Sequence, residues 1–368
     1  AVAGTYILTY SLVYNDDVIT KTRTVTVGTF NSNCSPIDDT TLMSCQVVWT
    51  NFLNTVVKLT IYVEQDTEYN TDLAFEEIEH TLAYYTIMSD KYKSYDGMMN
   101  VYEINENAGT TVTVDERLFN LIEFTFDHQD EVDNLFNAAL GPVLQIWHDY
   151  RENCDDNDIC QVPLLTELEA ANQYTDPSKV VLNRENLTLT MEENMSIDLG
   201  GVSKGYVSKE IISYLETLDI HGFLLNNGES NISVGGKHPV RENEKFIIAV
   251  TDPTYSLPYY ATIYLEDGEQ LVTSGDYQKF YTVDNVQYHH IIHPITLMPE
   301  HYSRSVSIIT TDPALADLYS TAIFNMTITE GIEFVDSVEG LEAIWYALDG
   351  TIFFSENFET NYLVDTFE

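Results

Sequence analysis

The stretch Ile197-Asp198-Leu199-Gly200-Gly201-Val202-Ser203-Lys204-Gly205-Tyr206 constrains the chain most, because it demands a tight junction between two kinds of local order. It follows a strand-like run and opens a helical pattern over 204–218. Paired glycines at such a junction let backbone approach another element or a ligand closely. Two readings stay open on these residues alone. One is a plain strand-to-helix turn. The other is an anion site, with amides at the helix N-terminus and Lys204 as a point charge facing phosphate.

Helices and strands mix around this junction without a strict β-α-β beat. Helical spacing marks 73–86 (Leu73, Ile78, Leu82, Tyr85), 116–132 (Leu118, Leu121, Ile122, Phe126) and 165–174. Strand patterns mark 55–63, 223–225, 245–250, 261–265, 280–283, 305–310 and 342–348. The mixture predicts an α+β fold. At the N-terminus, 5–13 and 20–27 are Thr-rich and β-branched, with the turn signal Asn15-Asp16-Asp17 between them, which predicts a β-hairpin. A lone hairpin is marginal in water, so this one has to complete a sheet built by something else. Residues 31–46 are polar and turn-rich and read as a linker. The chain thus divides into 1–30, 31–46 and 47–368.

Composition narrows the function classes. The net charge is −43, from 16 Lys and Arg against 59 Asp and Glu. A surface so acidic repels nucleic acid and suits a high-salt milieu or an exposed cell surface. No run approaches the roughly 18–20 apolar residues of a membrane span. The N-terminus lacks the basic and apolar regions of a signal peptide, so a leader has been removed or the chain belongs to something longer. Cys34/Cys45 and Cys154/Cys160 form two close pairs, which suggest two local disulfides; four free buried thiols are the alternative that spacing leaves open.

Chemistry-bearing residues cluster after Asp198. A polar loop, Asn226-Asn227-Gly228-Glu229-Ser230-Asn231-Ile232, follows a buried strand. Thr273-Ser274-Gly275-Asp276-Tyr277 precedes Tyr288-His289-His290-Ile291-Ile292-His293-Pro294. The histidine spacing suits neither zincins nor zinc fingers; a histidine poised near a ligand phosphate as general base fits better. In the helical run 315–322, Asp317 and Thr321 are four apart and share a side. Hard oxygens of this kind suit Mg²⁺ or Ca²⁺, though an acidic residue near a helix N-terminus is equally well explained by the dipole.

Taken in order, Asp-Leu-Gly-Gly-x-x-Lys-Gly-Tyr, Asn-x-Gly-Glu, Thr-Ser-Gly-Asp-Tyr, His-His-Ile-Ile-x-Pro and Ala-Asp-x-x-x-Thr-Ala resemble the ApbE family. So do Phe136-Asn137-Ala138-Ala139-Leu140-Gly141-Pro142 with Trp147, and Leu53-Asn54-Thr55 where the family often has Met-Gly-Thr. The resemblance covers about 47–366. It implies a two-lobed α+β fold and a FAD:protein FMN transferase, which moves FMN from FAD to a Thr or Ser hydroxyl of an extracytoplasmic acceptor and releases AMP. It implies Mg²⁺ held by Asp317, Thr321 and a backbone oxygen at Gly201. It implies FAD contacts from Leu53, Tyr95, Leu135, Phe136, Asn137, Asp198, Lys204, Glu229 and Ile292, and catalytic roles for Asp317 and for His290 as proton acceptor. It also implies an acceptor with a Ser/Thr-Gly-Ala-Thr-like segment. With so few cations in the chain, a metal is expected to neutralise the FAD pyrophosphate.

Ala-Gly-Thr-Tyr-x-Leu-Thr-Tyr through Thr-Arg-Thr-Val-Thr-Val is similar to the closing strands of Ig-like repeats of bacterial surface proteins. That implies a cell-surface or membrane-anchored setting and possible pairing of the hairpin with neighbouring subunits. The sequence departs from the ApbE pattern at His293 (usually Asp), Ile295 (usually basic), Gly228-Glu229-Ser230 (usually Gly-Gly-Asp) and Asn137 (often Asp). His293 puts the charge near the phosphates in question. A FAD-binding or FAD-hydrolysing surface protein and an inert structural module are the competing readings.

Overall fold

A computed structural model describes residues 4–14, 17–27, 33–65, 71–157 and 160–367. A nine-stranded sheet organises the chain. From edge to edge its strands are Ile352–Phe354, Glu342–Tyr346, Ser305–Thr310, Gln270–Gly275, Asn231–Gly236, Gly222–Asn227, Thr55–Glu64, Leu42–Phe52 and Asn33–Pro36. Every neighbouring pair is antiparallel.

Period-two alternation gives the sheet two apolar faces. Leu59, Ile61, Leu225, Val272, Val306, Ile308 and Trp345 face one core, while Leu271, Ile309, Ile344 and Val234 face another. The helices are α1 (Thr71–Met88), α2 (Val101–Glu106), α3 (Glu116–His128), α4 (Gly141–Asn157), α5 (Leu165–Asn172), α6 (Ser203–Leu215), α7 (Pro313–Phe324), α8 (Ile328–Ser337) and α9 (Phe358–Asn361). Residues of α1, α6 and α7 fill the first core. The second is closed by a three-stranded sheet of Phe246–Thr251, Tyr259–Leu265 and Leu363–Thr366. Helices on one face of an antiparallel sheet are the expected α+β arrangement.

α6 and α7 touch backbone to backbone. A Cβ placed on Gly205 would lie 2.0 Å from the Pro313 carbonyl oxygen and 2.7 Å from Asp317 Cβ. Only glycine permits this approach. The N-terminus of α7 is fixed independently: Asp312 accepts from the Ala314 and Leu315 amides, and Pro313 begins the helix.

Two readings of the sequence change. The stretch 31–46, expected as a linker, supplies Asn33–Pro36 and the start of Leu42–Phe52 to the large sheet, joined by the turn at 37–41. Asn33–Pro36 is the edge strand, and Cys34 pairs with Cys45 across the two strands, closing the first disulfide. Residues 28–32 lie outside the described residues. The run before Gly200 is irregular rather than a strand, because Asn105 replaces a ladder partner: its side chain bonds Ile197 N and Ile197 O at 2.8 and 3.0 Å.

The second disulfide, Cys154–Cys160, closes the end of α4. The N-terminal hairpin pairs Gly4–Tyr14 with Asp17–Val27 as a two-stranded sheet, Tyr14 opposite Asp17. Asn15 and Asp16 of its expected turn lie outside the described residues. Among the described residues no helix is long and apolar enough to cross a membrane.

Candidate active site

A cavity of about 640 Å³ opens beside the Gly200–Gly201 turn. Its walls come from distant parts of the chain: the 53–55 turn, the segment after α1, residues 135–137, one side of α4, the start of α6, the loops at 228 and 273–279, residues 288–294, and α7. Leu53, Tyr95, Leu135, Phe136, Asn137, Asp198, Gly201, Lys204, Glu229, His290, Ile292, Asp317 and Thr321 all line it, so the structure brings these candidate FAD, metal and catalytic residues to one place.

Most amides around the Gly-Gly turn already have acceptors. Gly200 N–H donates to Asp198 Oδ1 at 2.7 Å, Val202 and Ser203 N–H donate to Leu199 O, and Gly205 N–H donates to Asp317 Oδ2 at 2.9 Å. The turn instead aims side chains. Asp317, only 5% exposed, is held by the α6 backbone. Thr321 Oγ1 donates to Asp317 O at 3.0 Å and lies 3.1 Å from where a Gly201 Cβ would stand. One carboxylate, one hydroxyl and the neighbouring backbone form an oxygen set. Such a set fits a hard divalent cation that shares substrate oxygens and keeps waters. Among the described residues no group of three or more His, Cys, Asp or Glu is gathered to hold a metal.

Cations converge on the cavity. Lys91, Arg151, Lys204 and Lys279 line it, four of the 16 Lys and Arg in the chain. Lys204 is tied through its ammonium to Ser230. Lys91 Nζ pairs with Asp198 Oδ2 at 2.6 Å, both side chains nearly buried. Burial would raise the Asp198 carboxyl, but Lys91 and the Gly200 amide hold it below its ordinary value. Asp198 is therefore a saturated carboxylate that shapes the turn. Burial, then Lys204 and Arg151, push the Lys279 ammonium below its ordinary range.

His290 shares this field. Burial and then Lys279, His289, Arg151 and Lys204 push its imidazole down to about 3. The side chains of His290 and Lys279 are nonetheless open to water in the cavity, so for the free chain the neighbouring cations are the firmer cause. Nδ1 of His290 lies 3.2 Å from Lys279 O, which can only accept; Nδ1 therefore carries the proton and Nε2 is left as a basic lone pair.

His289 differs: its Nε2 bonds Glu300 O at 2.8 Å while Nδ1 is buried and unpartnered, and burial pushes it down to about 4. His293 does not line the cavity. Its Nδ1 accepts from Ile295 and Thr296 amides at 3.1 and 3.3 Å, so the ring caps the turn that follows it.

Sequence reasoning missed Lys91, Tyr92, His148, Arg151 and Lys279. His148 and Arg151 follow Trp147 by one and four residues on α4, so their helical spacing could have flagged a shared face. Tyr92 stacks on His148 at 4.4 Å with Lys91 over its ring at 4.8 Å.

The profile of the ApbE family matches residues 53–345. The chain is 26% identical over 268 residues to the FAD:protein FMN transferase of Klebsiella pneumoniae, covering 69% of this chain and 77% of that protein. It is 26% identical over 255 residues to the protein of that name from Treponema pallidum, covering 66% and 69%. Among solved structures, the ApbE protein of Thermotoga maritima superposes with a TM-score of 0.74 at 26% identity, over 86% of this chain and 98% of that one. The Pseudomonas stutzeri flavinyl transferase ApbE shares the fold with a TM-score of 0.73 at 19% identity, over 88% and 98%. The chain belongs to the ApbE family.

Proposed function

We propose that this chain is an extracytoplasmic FAD:protein FMN transferase that moves FMN from FAD onto a Thr or Ser hydroxyl of an acceptor protein. The observation that carries this reading is the gathering of four of 16 basic residues beside the Asp317–Thr321 oxygens in a chain of net charge −43. That is where a pyrophosphate dianion would be held. Two disulfides suit an oxidising compartment.

Asp317, Thr321 and the Gly201 carbonyl would hold Mg²⁺, which supplies charge neutralisation at the pyrophosphate. Lys204, Lys279 and Arg151 orient the phosphates and stabilise charge as it shifts toward the leaving group. The acceptor hydroxyl oxygen forms a bond to the phosphorus of the FMN half. The bond from that phosphorus to the bridging oxygen breaks, and AMP leaves with that oxygen and the electron pair. His290 Nε2 accepts the hydroxyl proton. Cations in the pocket share the neutralising work that the sequence reading gave to the metal alone.

The test is incubation with FAD, Mg²⁺ and a carrier protein bearing a Ser-Gly-Ala-Thr segment, read by mass spectrometry and AMP release. An FMN adduct with equimolar AMP, abolished by EDTA, is expected. FMN and AMP formed equally well without acceptor would favour hydrolysis, and transfer persisting in EDTA would remove the metal.

A further inference from the structure

Tyr255 lines the cavity yet is 66% exposed, which puts it at the mouth. Its φ is +57°, the left-handed region that non-glycine residues seldom occupy. The loop enforces that conformation. Buried Asp252 accepts from Thr254 N–H, Thr254 O–H and Leu257 N–H, each at 2.8 Å. Tyr255 N–H donates to Asp252 O at 3.1 Å. Tyr277 supports the ring edge-on, centroids 5.7 Å apart, from beneath the same wall.

A large amphipathic ring is thus held rigidly into solvent, where it gives contact area for little loss of rotamer freedom. Burial, then Tyr255, Glu229 and Asp276, raise the Tyr277 hydroxyl, so it stays protonated beneath the Tyr255 ring at neutral pH. Glu229 itself is exposed on the rim, at φ +63°. The pyrophosphate is drawn to the cations lining the cavity, whereas a protein acceptor can reach the cavity only at its mouth, where the exposed Tyr255 ring stands.

We propose that Tyr255 is the docking residue for the acceptor polypeptide. Its ring supports the extended, small-residue segment that carries the attacking hydroxyl and so sets acceptor specificity. The proposal rests on the transfer reading above. The test uses the full chain with FAD, Mg²⁺ and the Ser-Gly-Ala-Thr carrier. Tyr255→Ala should raise the acceptor KM about 10-fold or more, the scale of an aromatic anchor, with kcat and the FAD Kd within about 2-fold of wild type. Tyr255→Phe should keep the wild-type KM, since the ring is what docks. An unchanged acceptor KM in Tyr255→Ala, or a raised FAD Kd in a variant whose acceptor KM does not move, would overturn the proposal while leaving transfer intact. Wild-type chain that binds FAD and modifies no acceptor would overturn the transfer reading and this proposal together.

Discussion

His290 combines a basic lone pair with a cationic neighbourhood, and the two pull against each other. Burial, then Lys279, Arg151 and Lys204, disfavour a proton on Nε2, which makes the free ring a weak base. A bound pyrophosphate neutralises those cations, so the ring becomes more basic once substrate is present. The pH dependence follows from the sign. In the free chain His290 is depressed below 6.5, so its proton-accepting form is complete at neutral pH and is lost only well into acid. The acid limb of kcat, which belongs to the complex, should therefore lie at higher pH than the acid limb of kcat/KM for FAD. Rate profiles from pH 4 to 8 check this, and coincident limbs would remove His290 as the base. His290→Ala should lower kcat by roughly 10²–10⁴ and flatten that limb.

At the scale of elements, the meeting of α6 and α7 sets the geometry of the site. Gly205 keeps the helices close enough for its amide to hold Asp317. Gly205→Ala forces them apart. It should destabilise the protein by about 1–3 kcal/mol, as overpacking does, and weaken transfer more than FAD binding. Thermal unfolding and a kcat-against-KM comparison separate the two effects. Much of this was legible beforehand. The Gly200–Gly201 turn opens a helix as read, and Asp317 and Thr321 share a helix face because their spacing is local.

What was not legible depends on distant partners. Lys91 acquires meaning from Asp198, more than a hundred residues away, and nothing local distinguishes it from a solvated lysine. α4 begins with Gly-Pro and ends in a polar run, so its apolar stripe was too weak to read, and Arg151 went with it. Residues 33–46 looked like linker because the edge strand Asn33–Pro36 and the turn at 37–41 are short and polar. The amides around the Gly-Gly turn suggested phosphate until the structure gave Asp198 to Gly200, Leu199 to Val202 and Ser203, and Asp317 to Gly205 as acceptors.

Over the whole molecule the charge is −43, so the native state repels itself and screening relieves it. The melting temperature should rise between about 10 mM and 1 M NaCl, a range over which the screening length shrinks from ~30 to ~3 Å. FAD affinity should fall over the same range, because the cavity wall carries Lys91, Arg151, Lys204 and Lys279. A fall in stability, or tighter FAD binding in salt, would contradict this division of charge. The same division makes the protein a selective electrode toward proteins. An acidic acceptor is kept away at low ionic strength and admitted as salt rises, while a basic one is drawn in and then released. The slope of log kcat/KM for the acceptor against ionic strength therefore reads the sign of the acceptor's surface charge before its identity is known.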